Sequence, residues 1–165
     1  DIFVIGQGEK TDDGWLGASI YQQHHGDGGI YAPPPLDLVA EQKTGSFVRQ
    51  QILGGGISAA HDIADGGLAV AIAEMAMRSG FGADIAVPKT GNLHGWAFGE
   101  DQARFVVATA DSKTLIAAAK EAGIEITKLG IVLDSSELKF GDNDTISVAG
   151  LNTVFEGCIP ALMAG

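Results

Sequence analysis

The sequence predicts an α/β domain, with helices packed on a mixed β-sheet. Three observations carry this. Short apolar runs bounded by turn residues alternate along the chain with segments of helical periodicity. The 165 residues are 45% hydrophobic, enough for one domain with a real core. Twenty-four glycines punctuate the runs, as tight turns and close backbone approaches require.

The elements follow in order. Ile2 to Ile5 is an apolar run closed by Gly6, a buried strand. A Gly- and Asp-rich connection, Gly6 to Gly17, follows, and loops of that length in a compact domain are usually functional or mobile. Ala18 to Gln23 suits a helical turn, whereas Ala32-Pro33-Pro34-Pro35 must be extended. Asp37 to Leu53 reads as an amphipathic helix with Ala40, Phe47, Val48 and Ile52 on one face and Glu41, Lys43, Arg49 and Gln50 largely elsewhere. Gly54-Gly55-Gly56 ends it. Ile57 to Ile63 is strand-like, and Asp65-Gly66-Gly67 opens a helix to about Ser79 that is apolar almost all round and should be buried. Asp84 to Val87 and Arg104 to Thr109 read as strands. Ser112 to Ala122 is a helix, with Asp111 its N-cap and Gly123 its stop. Ile124 to Leu133, Glu137 to Phe140 and Thr145 to Val148 read as strands, and Leu151 to Glu156 as a helix limited by Pro160.

Charge and cysteine usage narrow the function classes. The formal net charge is −11, and the ten Lys and Arg residues form no cluster. A nucleic-acid groove needs concentrated positive charge, so nucleic acid is not an expected partner, nor is an anionic membrane surface. The apolar runs are too short to span a bilayer. Cys158 is the single cysteine, so no intrachain disulfide forms and a reducing compartment, the cytoplasm, fits. Cys158 itself reads as a small apolar contact. The opening at Asp1, inside a strand-like run and without a basic leader, reads as a domain cut from a longer chain.

Two segments carry candidate chemistry. In Ser58 to Leu68 a strand delivers His61 and Asp62 to the sheet edge, and Asp65, Gly66 and Gly67 turn the chain into a helix. Free backbone N–H groups and the positive helix end gather there, which suits phosphate. Asp62 and Asp65 would repel a bare phosphate but suit a Mg²⁺-bridged one, a ribose hydroxyl or an amine. The same residues also suit plain helix capping by Asp65 and a hydrogen-bonded turn at His61. In Trp96 to Val107, Glu100 and Arg104 stand before an apolar strand. They are placed to pair across its mouth, to leave Glu100 facing a ligand, or to form a solvated strand entry. His24-His25 with Asp27 reads as a solvated loop, because no third spaced metal ligand follows.

Together these segments resemble a known family. A-H-D-I-A-D-G-G-L-A-V-A-I-A-E-M-A at 60–76 is similar to the H-D-x-S-D-G-G-L-A-V-A-L-A-E-M-A signature of phosphoribosylformylglycinamidine synthase, in particular its large synthetase subunit. F-G-E-D-Q-A-R at 98–104 resembles its F-G-E-S-Q-x-R. Gly14 to Tyr21 resembles its L-G-G-S-E-Y segment, and Pro33 to Leu38 its P-P-P-V-D-L. The four matches fall in the family's order over about residues 1–110, and Glu156 to Met163 resembles the C-terminus of some bacterial members. Ala64 and Asp101 depart from the pattern. Each removes a hydroxyl available to phosphate, and Asp101 adds negative charge.

The resemblance implies a three-layer α/β/α sandwich with a mixed sheet, residues 1–165 forming the C-terminal α/β domain of a longer synthetase. The superfamily includes aminoimidazole ribonucleotide synthetase, selenophosphate synthetase and thiamine monophosphate kinase. The whole enzyme uses ATP and Mg²⁺ to amidate formylglycinamide ribonucleotide with ammonia from a glutaminase subunit, and a small accessory subunit joins the complex. The family's catalytic residues have no counterpart in this chain, so no residue here is expected to be catalytic. His61, Asp62, Asp65, Gly66, Gly67, Glu100 and Arg104 remain candidate ligand-binding residues. The isolated domain is expected to be inactive and to require no cofactor of its own. Two other readings stay open: a structural half of the synthetase with a vestigial nucleotide site, and a domain of another enzyme of the superfamily.

Overall fold

The computed structural model describes residues 1–6, 15–27, 29, 31–142 and 144–164. Residues 7–14 of the Gly- and Asp-rich connection, and so Gly14 at the head of one family match, lie outside the described residues. Among the described residues the strands are β1 (Ile2–Ile5), β2 (Ala59–Asp62), β3 (Gly82–Ile85), β4 (Phe105–Ala108), β5 (Ile126–Leu133), β6 (Glu137–Phe140) and β7 (Asp144–Ser147). The helices are α1 (Ile20–His25), α2 (Leu38–Leu53), α3 (Gly67–Ser79), α4 (Leu93–Phe98), α5 (Ser112–Glu121) and α6 (Val148–Met163).

The strands form one sheet in the order β2-β4-β1-β5-β3-β6-β7. Every pairing is antiparallel except β3 with β6, so the sheet is mixed. Side chains alternate across it. In β1, Ile2 and Val4 pack with Leu68, Ala71, Ile72 and Ala76 of α3 and Val148 of α6, while Phe3 and Ile5 pack with Phe47 and Val48 of α2 and Leu115 and Ala119 of α5. In β4, Val106 joins the first group and Val107 the second. The two cores lie on opposite faces of the sheet, which gives a three-layer α/β/α sandwich. Each fully enclosed side chain, such as Phe3, Ile5 or Leu115, contributes roughly 1.5–3 kcal/mol relative to exposure.

Helix starts follow side-chain chemistry. Asp37 accepts the Val39 and Ala40 amides at 3.0 Å each, and Asp111 accepts that of Thr114 at 3.1 Å. Asn92 caps α4, and Ser147 caps α6. α3 is the exception. Its cap position is Gly66, in the left-handed region at φ 82°, with no side-chain cap bond, so Asp65 does not cap it.

Several elements differ from the sequence expectation. α4 was not expected, because six residues capped by Asn92 show no full helical period. β2 is shorter than 57–63, although Ile57 and Ile63 are both buried beside it. β3 starts two residues before Asp84, because pairing with both β5 and β6 captures Ala83 and Asp84 and ends at Ile85. On α2, Thr44 is buried and Ile52 is 47% exposed, so the buried stripe runs through Thr44, Phe47 and Val48. α6 starts at Val148 and runs past Pro160. The proline removes an amide that would bond near Glu156, on a stretch where the helix is exposed. α3 lies as expected: no residue from Gly67 to Met77 is exposed.

Candidate functional site

At the start of α3 a cavity of about 370 Å³ opens between the end of β2, the start of β4 and the Ala18 and Pro33–Pro34 segments. Asp62, Asp65, Glu100 and Arg104 line it, so four of the sequence candidates come together. Glu41 joins them from α2, and its buried Oε2 has no hydrogen-bond partner among the described residues.

Most of the candidates already have partners within the chain. Glu100 Oε1 accepts the Gly66 amide at 2.8 Å and the Ile20 amide at 2.9 Å. Arg104 pairs not with Glu100 but with Asp101, through Nη1 and Oδ1, with both side chains nearly enclosed. Burial pushes the Asp101 carboxyl above its ordinary value, against the opposing pull of the Arg104 guanidinium. His61 stands apart from the cavity. Neighbouring residues of a strand face opposite ways, so Asp62 turns to the cavity and His61 to α3. There His61 Nδ1 donates to the Asp62 carbonyl at 2.7 Å, and Nε2 meets Glu74 Oε2 at 3.0 Å. This links β2 to α3 and borders a different, largely apolar cavity of about 690 Å³.

The glycines have a local reason. Gly67 has φ 70°, and a Cβ there would lie 2.7 Å from the Phe98 carbonyl carbon and 2.9 Å from the Gly99 oxygen. The close approach at this turn is therefore made by the chain's own backbone. Gly66 has φ 82°, and a Cβ there would meet Val70 at 2.5 Å. The Gly67 amide donates to the Ala64 carbonyl at 3.0 Å and closes the turn.

Outside the cavity, Tyr21 stacks on Phe98 at 4.8 Å between ring centroids, and its hydroxyl meets His94 Nδ1 at 2.5 Å. Asp27 is engaged by the Gly29 amide and the Tyr31 hydroxyl, which hold its carboxyl below the usual value. Cys158 is exposed, not packed as a small apolar contact, because it sits on the part of α6 that stands clear of the sheet. Among the described residues, no three His, Cys, Asp or Glu side chains converge closely enough to hold a metal ion. The oxygen donors at the cavity, including the unpartnered Glu41 Oε2, suit a hard cation that arrives already bound to phosphate.

The family model described as AIR synthase related protein, C-terminal domain, matches residues 2–143. The chain is 44% identical over 165 residues to phosphoribosylformylglycinamidine synthase subunit PurL of Methylocella silvestris, covering 99% of this chain and 22% of that protein. It is 45% identical over 167 residues to the same subunit of Parvibaculum lavamentivorans, with the same coverage. The chain thus spans about a fifth of the length of the curated relatives it matches. Among solved structures, T. maritima PurL complexed with FGAR matches with a TM-score of 0.74 at 19% identity, over 91% of this chain and 27% of that one. A chain of PurLQS from Thermotoga maritima matches with a TM-score of 0.66 at 16% identity, over 91% and 25%. At these identities the structural likeness speaks to the fold alone.

Proposed function

The chain belongs to the AIR synthase related proteins, matching their C-terminal domain, and on that premise we propose that residues 1–165 are the C-terminal α/β domain of a phosphoribosylformylglycinamidine synthase. The whole enzyme would convert formylglycinamide ribonucleotide, ATP and ammonia into formylglycinamidine ribonucleotide. In that reaction ATP activates the amide oxygen as an iminophosphate, and ammonia displaces the phosphate. Mg²⁺ would supply charge neutralisation on the phosphates. The partners are the remainder of the synthetase chain, a glutaminase subunit and a small accessory subunit, acting in the cytoplasm. No helix of the described residues is long and apolar enough to cross a membrane.

The observation that carries the local reading is the gathering of Asp62, Asp65 and Glu100 around one cavity at the start of α3, within the segments that resemble the family. Asp62 and Asp65 would hold a Mg²⁺-bridged phosphate or a ribose hydroxyl, with Glu41 as a further acid. Gly66 and Gly67 shape the turn, and Arg104 offsets charge through Asp101. His61 would act from the far side of β2, through its contact with Glu74. Four carboxylates at one cavity disfavour bare phosphate.

One observation favours a second reading, a structural half with a vestigial nucleotide site. Arg104, the cation at the cavity, is already paired to Asp101, and the Gly66 amide is already taken by Glu100. Calorimetry with ATP on the longer synthetase, with and without Mg²⁺, separates the two. Metal-dependent binding at this domain, weakened by Asp65→Ala, supports the nucleotide reading. No binding here, with Asp65→Ala leaving turnover intact, reduces the turn to a helix start.

A further inference from the structure

We infer that Glu100 is a positioning residue: a single carboxyl oxygen holds the segment Leu16–His25 against the start of α3 and so sets one wall of the cavity. Glu100 Oε1 accepts two amides, from residues 34 and 80 positions away in the chain. Ile20 is the first residue of α1, and Gly66 immediately precedes α3. Amides at helix starts have no acceptor inside their own helix, so each needs one from elsewhere. Here one anion serves both, and it sits at the positive end of α3.

The surroundings fit a joint. Gly66 is buried, so its amide has no ready substitute in water. Ser19, beside Ile20, is fully enclosed; its hydroxyl donates to the Leu16 carbonyl at 2.6 Å and accepts the Gln22 amide. On the outer side, Tyr21 stacks on Phe98, two residues before Glu100. Ala18, in the same segment, lines the cavity that Glu100 also lines. Three distant stretches of chain therefore meet at one oxygen. Moving that oxygen moves the wall beside Asp65.

That oxygen is committed to the two amides, so Glu100 acts through the placement of Leu16–His25. That this wall belongs to a ligand site rests on the nucleotide reading above; the joint itself does not. The test is amide hydrogen exchange by NMR on the 165-residue chain without ligand, so a failure of the nucleotide reading leaves its result standing. In Glu100→Ala, the Ile20 and Gly66 amides should exchange together at least about tenfold faster, while the β4 amides of Val106 and Val107 keep their wild-type rates. Glu100→Gln, which keeps a carbonyl oxygen at the same reach, should restore protection of both. Glu100→Asp, one methylene shorter, should not. The inference is overturned if Ile20 keeps wild-type exchange in Glu100→Ala, or if Glu100→Gln leaves either amide exposed. Should Glu100→Ala fail to fold, the Glu100→Gln outcome decides alone: both amides protected supports the joint, either one exposed refutes it.

Discussion

Replacing Gly67 by Ala tests whether the glycine pair at the start of α3 answers to the chain's own backbone. Two costs add. An L-residue at φ 70° carries roughly 1–2 kcal/mol of left-handed strain. The new Cβ would also lie 2.7 Å from the Phe98 carbonyl carbon, 2.8 Å from its Cα and 2.9 Å from the Gly99 oxygen. All three are backbone atoms, so no side chain can swing away, and overpacking of this kind costs about 1–3 kcal/mol. Restricting the unfolded chain returns about 0.4–1 kcal/mol. The net loss is then about 1–4.6 kcal/mol. Gly55→Ala is the control: φ is 74° and nothing lies within 4 Å of its Cβ, so only strain and the unfolded-state gain remain, about 0–1.6 kcal/mol. Urea unfolding followed by circular dichroism, with unchanged m-values, gives both numbers. A Gly67→Ala loss no larger than that of Gly55→Ala would refute the steric argument.

Two further predictions concern the core and the buried ion pair. Ile72 is 3% exposed between α3 and the sheet, so Ile72→Ala should cost about 2–5 kcal/mol in the same assay, and a loss below about 0.5 kcal/mol would mean that α3 is not central. Asp101 is held above its ordinary value of 3.8, so it takes up a proton on folding in the range between that value and its folded one. Its contribution is fully present below the unfolded value and is lost as pH rises through the folded one. Arg104 keeps its charge throughout, so wild type should lose unfolding free energy relative to Asp101→Ser as pH rises above about 4. The opposite slope would mean that the Arg104 charge outweighs burial.

Much of the fold was legible because its signals were local. β1 is a four-residue apolar run stopped by Gly6, which has φ 86° and leaves no room for a Cβ beside the Ala103 oxygen. α5 has Asp111 at one end and Gly123 at the other, and both hold. What escaped depended on partners far away in sequence. The register of β3 is set by β5 and β6. The site shows the same division. Strand and turn chemistry led to Asp62, Asp65 and Glu100, which meet at one cavity. That Arg104 chooses Asp101, and that Glu100 serves two amides, follows from a connection whose backbone includes Ala103 at φ 60°, rare for a residue with a side chain. Glu41, expected off the Phe47–Val48 face, carried a signal that pointed the other way: it stands seven residues before Val48, two helical turns along the buried face of α2. The separation of His61 from Asp62 was readable too, from strand alternation alone.

The proposed function makes this chain a working part of a synthetase like the relatives of whose length it spans about a fifth. The most direct measurement grafts residues 1–165 in place of the matching 22% of the 44% identical relative and follows ATP- and ammonia-dependent formation of formylglycinamidine ribonucleotide. The prediction is that the chimera turns over while the relative lacking the segment, and the isolated 165-residue chain, do not. A folded, soluble chimera without turnover, or turnover by the isolated chain, would contradict it.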